Sequence, residues 1–506
     1  MLRIRALAMS GEPDNPLLGR WGERRRRPRR TLPVWVWPLS ALAVIAALVF
    51  AVWNAHRSHS WRPPSGAPHF SSCTFGGRLD AWCARLGVAA DPRKPRGRTI
   101  SLRIAVLPAT KRPAAGALFY LEGGPGGAAT ASALRVNDLF AEVLRTRDVV
   151  LVDQRGTGGS GLLACPNVYV REKDAKAVTA YLRACLASHD ADPRLYTTSV
   201  VAHDLETVRR TLGYGKIDLY GGSYGVTLAE AFVHRYPESV RSLVLDSGSL
   251  PNVRIYDASA RNAERALDLQ LARCAASPAC KRAYPDPRRQ LDALLARPPR
   301  VVSLPSGKVV MSANDVAWTV DWLSETAESA DVIPFALNAA AHGDFTTLAE
   351  TYGGQLGGSN LDSLSRLLPF WSIVCSEPWA SFDPGRTARA GRGSYLLRAA
   401  VARARLFRSA CRVVPRNRAR PDVGVVRAPT LLLSGGADPL DPPANLRGWR
   451  HVFPNGRSIV VAGAGHGTIE YACVQTLIAR FVARAGASGI DASCARHVPL
   501  PAFLTG

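Results

Sequence analysis

The chain predicts an α/β fold: a mostly parallel sheet with helices on both faces, into which a mainly helical segment is inserted. Three observations predict it. From about residue 99 onward, short apolar runs alternate with stretches of helical periodicity, the pattern of strands and covering helices in a parallel sheet. Between residues 252 and 427 that rhythm stops and helical patterns succeed one another, enough chain for a separate domain. From residue 428 the strand-helix rhythm resumes, so residues 73–251 and 428–506 should form the two parts of one core.

The runs expected as strands end at Leu121, Val152, Tyr220, Leu245, Leu433 and Val461, and residues 200–212 read as the helix that precedes the strand ending at Tyr220. In the insertion, residues 261–276, 315–329 and 333–342 are the clearest helices. Arg297-Pro298-Pro299-Arg300 and the glycine-rich residues 353–359 read as breaks. Because the insertion leaves after one sheet strand and returns before the next, it should sit over the strand ends as a cap.

The N-terminus carries a different signal. Residues 1–33 are basic, with Arg24-Arg25-Arg26-Arg27-Pro28-Arg29-Arg30 at their centre, and residues 34–53 hold no charge. Twenty residues at about 1.5 Å each match the roughly 30 Å apolar core of a bilayer. Trp35, Trp37 and Trp53 lie at its two ends, and the arginines should keep residues 1–33 in the cytoplasm. The expectation is a single-pass signal-anchor, a tether over residues 54–72, and a catalytic domain in the periplasm or outside the cell. A cleaved signal peptide, giving a secreted enzyme, is the rival. The chain's net charge is +24; residues 1–60 contribute ten arginines against three acids, and the remainder is spread along the chain. Such a surface favours anionic neighbours such as lipid headgroups, but without a dense basic run interleaved with aromatics it excludes nucleic acid as a partner. All ten cysteines lie beyond residue 53 and none forms a CxxC pair, which suits bridges in an oxidising compartment. Local pairing would join Cys73 to Cys83, Cys165 to Cys185, Cys274 to Cys280, Cys375 to Cys411 and Cys473 to Cys494. Buried free thiols are the alternative.

The chemistry is concentrated where strands end. Gly221-Gly222-Ser223-Tyr224-Gly225 comes directly after an apolar run and opens a helical pattern, which sets a serine at a sharp strand-to-helix corner. The corner should press the residues flanking the serine against neighbouring backbone, hence the glycines. Two later strands run into Gly435-Gly436-Ala437-Asp438-Pro439 and Gly463-Ala464-Gly465-His466-Gly467, so Asp438 and His466 complete a Ser-Asp-His order. Asp246 also ends a strand and is the competing acid; His451 and His497 also come after Asp438, but neither is framed by glycines. Ahead of the serine, Glu122-Gly123-Gly124-Pro125-Gly126-Gly127 can offer the N–H of Gly123 or Gly124, with that of Tyr224, to an oxyanion. Gly156-Thr157-Gly158-Gly159-Ser160-Gly161 fits a dinucleotide fingerprint formally, but Leu162-Leu163-Ala164-Cys165-Pro166-Asn167 is a poor helix start, so no nucleotide is expected.

Together, Leu121-Glu122-Gly123-Gly124-Pro125-Gly126-Gly127, Asp153-Gln154-Arg155-Gly156-Thr157-Gly158, the Gly-Gly-Ser-Tyr-Gly corner, Gly436-Ala437-Asp438-Pro439 and Gly465-His466-Gly467 resemble the prolyl aminopeptidase and tripeptidyl aminopeptidase family of serine α/β-hydrolases. The resemblance runs from Cys73 to the C-terminus and includes the family's C-terminal segment, with Cys473 and Cys494. It implies an α/β-hydrolase fold, a triad of Ser223, Asp438 and His466, neither metal nor organic cofactor, and removal of N-terminal residues from peptides. Glu122 departs from the family, in which prolyl aminopeptidases usually carry histidine, so strict proline specificity is not implied. An aminopeptidase must also hold the substrate's α-ammonium, for which a buried carboxylate is the economical device. Glu377 is the first candidate, because the family's similar segment often carries an acid there and a bridge at Cys375 would fix it. Glu325 and Glu328, expected on one helix after Trp322, come next. An esterase or other small-acyl hydrolase with the same triad is the alternative, since fold and triad do not fix the leaving group.

Overall fold

The computed structural model describes residues 61–165, 175–299, 301–305, 307–357, 366–417 and 424–505. The basic tail and the expected span at 34–53 lie outside the described residues; among those described, no helix is long and apolar enough to cross a membrane. The core is a nine-stranded sheet. Its strands are β1 (Ser71–Phe75), β2 (Leu79–Ala89), β3 (Thr99–Leu107), β4 (Ala117–Leu121), β5 (Asp148–Val152), β6 (Ile217–Gly222), β7 (Val240–Asp246), β10 (Thr430–Gly435) and β11 (Gly456–Val461), in spatial order β1-β2-β3-β5-β4-β6-β7-β10-β11; a short hairpin, β8 (Val302–Leu304) with β9 (Gly307–Val309), stands apart. From β5 to β11 every pairing is parallel, and β1, β2 and β3 add an antiparallel edge.

Side chains alternate across the sheet as a period of two requires. Phe119 and Leu121 of β4 point into one core with Val201, Leu205 and Val208 of α1 (Thr198–Thr211) and Val226, Ala229 and Phe232 of α2 (Tyr224–Arg235). Leu118 and Tyr120 point into the other, which is covered by Val474, Leu477, Ile478 and Phe481 near the C-terminus. Both layers are therefore sealed, and the loops at the carboxyl ends of β4, β6, β7, β10 and β11 share one edge.

Between β7 and β10 the regular structure among the described residues is helical apart from the small hairpin. Its first half, including α3 (Ser259–Ala276) and α4 (Ala313–Leu323), has its own core of Leu267, Leu291, Val316, Val320, Ile333 and Leu337. Its second half, α5 (Leu368–Ser376) and α6 (Leu397–Ala410), instead delivers Phe370, Trp371 and Phe407 to the sheet's own core. The described residues contain five disulfides, Cys73–Cys83, Cys165–Cys185, Cys274–Cys280, Cys375–Cys411 and Cys473–Cys494.

Three sequence expectations need correction. The antiparallel edge strands are absent from the sequence reading, because β1 and β2 are half exposed and Asp80 and Arg85 interrupt the apolar residues of β2. Residues 61–72 are not a tether: Trp61 and Phe70 are buried in the sheet's core, with ring centroids 4.8 Å apart. The expected helix over 315–329 is two helices, α4 and a single turn at Ala327–Ala330 whose N-cap is Thr326. The break between them releases residue 325 from helical geometry.

Candidate active site

Ser223 stands between β6 and α2 with φ 55° and ψ −125°, a left-handed conformation that costs a non-glycine residue about 1–3 kcal/mol. The neighbours that hold it there are backbone. Its N–H donates to the Asp246 carbonyl at 3.0 Å and its own carbonyl accepts the Val226 N–H at 2.9 Å. The crowding falls two residues away on each side rather than on the immediate neighbours: a Cβ on Gly221 would lie 2.2 Å from the Gly225 carbonyl oxygen, and one on Gly225 2.2 Å from that of Leu121. Tyr224, directly after the serine, keeps a full side chain, whose hydroxyl lies 3.1 Å from Thr198 Oγ1 at the start of α1.

Asp438 and His466 meet across the loops after β10 and β11. Asp438 Oδ2 is 2.9 Å from His466 Nδ1, and its Oδ1 accepts the N–H groups of Leu440 and Asp441 at 2.8 and 2.9 Å. The carboxylate is fully buried behind the imidazole. Arg265 of α3 ties this loop to the insertion by donating to the carbonyls of Gly436 and Asp438, at 2.8 and 3.0 Å. The backbone N–H of His466 donates to the Glu325 carbonyl at 2.6 Å. Asp246, the competing acid, is occupied elsewhere. Its carboxylate accepts Tyr220 Oη (2.9 Å), the Thr468 N–H (3.0 Å) and hydroxyl (2.8 Å), and the Ile469 N–H (3.0 Å), so it fixes the loop beyond His466.

Ser223 and His466 line one cavity of about 900 Å³, together with Gly123, Gly124, Tyr224, Glu325 and Glu377. His451 and His497 are not in its wall. Glu328 is not in it either, which separates it from Glu325 and removes it as an amine candidate. At the oxyanion loop the Gly123 N–H is already engaged, donating to Glu122 Oε1 at 3.0 Å, while Ser132 Oγ donates to Glu122 Oε2 at 2.5 Å. Gly124 and Tyr224 line the cavity beside the serine.

The cavity is rich in acids. Burial, reinforced by the charge of Asp438, pushes Glu325 up to about 7 against the pull of His466. Burial also raises Glu377, opposed by hydrogen bonds from Thr198, and its Oε1 has no partner among the described residues. Burial and then Asp438 push Asp441 up to about 6. For His466, burial acts against the charged form, but Asp438, Asp441 and Glu325 outweigh it and carry the imidazole up to about 10. The motif around Arg155 proved to be scaffolding: its guanidinium pairs with Asp204 of α1 at 2.7 Å, both buried, and clamps the loop after β5 to the helix beneath the site.

Sequence reasoning missed Asp441 and Glu230, both buried acids in the cavity wall. Glu230 was visible as the one charge in the otherwise apolar stretch Val226–Val233 of α2.

A tripeptidyl aminopeptidase of Streptomyces lividans is 30% identical over 187 residues, 33% of this chain and 35% of that protein. The serine protease Hip1 of Mycobacterium tuberculosis is 28% identical over 288 residues, 51% of this chain and 54% of the relative. A proline iminopeptidase of Neisseria gonorrhoeae is 32% identical over 128 residues, 25% of this chain and 31% of that protein. The matched stretches thus span between 31% and 54% of these relatives' lengths. A family model for the alpha/beta hydrolase fold matches residues 116–472. With that match and this sheet, the chain belongs to the alpha/beta hydrolase fold family.

Proposed function

We propose that the protein is an exported serine hydrolase of the aminopeptidase type, releasing N-terminal residues or short peptides through an acyl-enzyme on Ser223. The observation that carries this reading is the presence of Ser223, His466 and the carboxylates Glu325 and Glu377 in the wall of one cavity. Serine and histidine alone would serve any acyl donor; acids beside them favour one that arrives with an ammonium group. The named relatives, two aminopeptidase-type enzymes and a serine protease, point the same way.

In this mechanism neutral His466 takes the proton of Ser223 as the hydroxyl attacks the scissile carbonyl, a contribution of about 10²–10⁴ in rate. Asp438, hydrogen-bonded to Nδ1, fixes the tautomer and stabilises the imidazolium. The oxyanion is received by the N–H groups of Gly124 and Tyr224, the latter at the N-terminus of α2, where orphan donors and the helix dipole favour negative charge. His466 then protonates the leaving amine, and water, deprotonated by the same imidazole, releases the acyl group. Glu377 and Glu325 hold the α-ammonium. The helical insertion, residues 252–427, acts as a cap that decides what reaches the serine.

Export is supported by the pairing of all ten cysteines, which persists in an oxidising compartment. Residues 34–53 are proposed as the membrane span, with the catalytic domain on the far side.

Turnover of an aminoacyl-arylamide, its N-acetylated counterpart and an acyl ester, by wild type, Ser223→Ala and Glu377→Gln, tests the reading. We expect free-amine arylamides to be preferred, all turnover to vanish in Ser223→Ala, and Glu377→Gln to raise KM about tenfold for the free amine only. Cleavage of the ester alone would replace the peptidase by an esterase.

A further inference from the structure

The cavity extends beyond the serine along α2. Thr227 and Glu230 lie four and seven residues after Ser223, so about two helical turns bring Glu230 back to the serine's face, and both line the cavity. Glu230 is only 3% exposed and lines the cavity, and its Oε2 is buried with no partner among the described residues. Asp441, close enough for its charge to act on Glu230, lines the same cavity; it is buried and held by a hydrogen bond from Ser249, which in turn accepts Asn445 Nδ2 at 2.8 Å. Leu250, Ile255 and Tyr256 supply apolar wall around the two acids.

A buried carboxyl without a donor costs stability unless something completes it. Burial and the nearby charge of Asp441 both drive Glu230 well above the usual carboxylate range. Among the described residues no group of three or more His, Cys, Asp or Glu could hold a metal, so an organic cation is the better match. A primary ammonium brings three donors and a flexible alkyl stem, which suit an orphan oxygen, a facing carboxylate and apolar walls.

We propose that Glu230 and Asp441 form a second subsite of the catalytic cavity that receives an alkylammonium group of the substrate, either a lysine-type side chain or the α-amine of a longer acyl segment. The subsite deepens the peptidase reading and rests on it only for what carries the ammonium.

The test compares n-hexylammonium with 1-hexanol as competitive inhibitors of hydrolysis of an uncharged acyl ester, an assay that works whether or not peptides are cleaved. Wild type should be inhibited about tenfold more strongly by the ammonium. In a Glu325→Gln/Glu377→Gln background, which removes both acids assigned above to the α-ammonium, the preference should persist, and Glu230→Gln added to that background should abolish it. Should Glu230→Gln fail to fold, Asp441→Asn takes its place. No preference in wild type, one lost in the Glu325→Gln/Glu377→Gln background, or one that survives the added Glu230→Gln, overturns the proposal. Tripeptidyl arylamides with lysine or norleucine next to the scissile bond, each with free or acetylated N-terminus, then separate the two sources. A Glu230→Gln loss of about tenfold in kcat/KM confined to lysine identifies the side chain, one confined to free amines the α-amine, and a loss with neither overturns the subsite. Absence of arylamide turnover with the ammonium preference intact keeps the subsite and removes the peptidase reading instead.

Discussion

The strand-end loops and the helical insertion face each other across the same cavity, but they treat polar groups in opposite ways. On the sheet side, Asp438 accepts two backbone N–H groups besides facing His466, and Asp246 accepts four hydrogen bonds from Tyr220, Thr468 and Ile469. On the insertion side, Glu377 Oε1, Trp379 Nε1 and Asp321 Oδ1 are buried without partners among the described residues. Satisfied networks are rigid, and unsatisfied ones await a ligand. The strand-end loops therefore fix the reacting groups, and the choice of what they act on falls to the insertion together with Glu230 of α2.

The largest effect should come from breaking the sheet side away from the reacting atoms. Asp246→Asn places an amide NH₂ against the N–H donors of the loop after His466. We expect stability to fall by about 3 kcal/mol and kcat by about a hundredfold, with KM little altered, as measured by denaturant unfolding and steady-state kinetics. A KM effect without a kcat effect would mean that this loop belongs to the selecting side after all.

A smaller effect sharpens the boundary. Glu325 belongs to the insertion, yet its charge raises the His466 imidazole. A negative neighbour favours the imidazolium, so removing it must lower the pKa. Glu325→Gln should shift the acid limb of kcat/KM, read on an N-acetylated substrate, downward by on the order of one pH unit. In wild type that limb should lie above the ordinary histidine range, since the imidazole is held up to about 10. An unmoved limb would show that the insertion does not tune the base.

The same contrast explains what the sequence could tell. The serine corner, the acid loop and the histidine loop were readable because backbone crowding demands particular residues: Gly221 and Gly225 each stand where a Cβ would strike a carbonyl. The five bridges were readable because each joins cysteines close in the chain, at most 36 residues apart. The insertion was harder, because helical periodicity does not say where a helix breaks. Glu325 and Glu328 were expected on one helix and are parted by a turn; the signal was there in Thr326 and Ser329, which cap the second helix reciprocally. Nor did it reveal that Phe370, Trp371 and Phe407 of the insertion complete the sheet's core, since an apolar helix face does not name its partner. The edge strands were hidden for another reason: they are half exposed, and in β2 Asp80 and Arg85 interrupt the apolar residues.

The central claim is that Ser223 is a nucleophile activated by His466. Treatment of the folded protein with a fluorophosphonate, and then mass mapping of the adduct, tests it most directly. The account predicts one adduct, on Ser223, absent in Ser223→Ala and formed at least about a hundredfold more slowly in His466→Ala. An adduct on another residue, or equal labelling of Ser223 with and without His466, would contradict it.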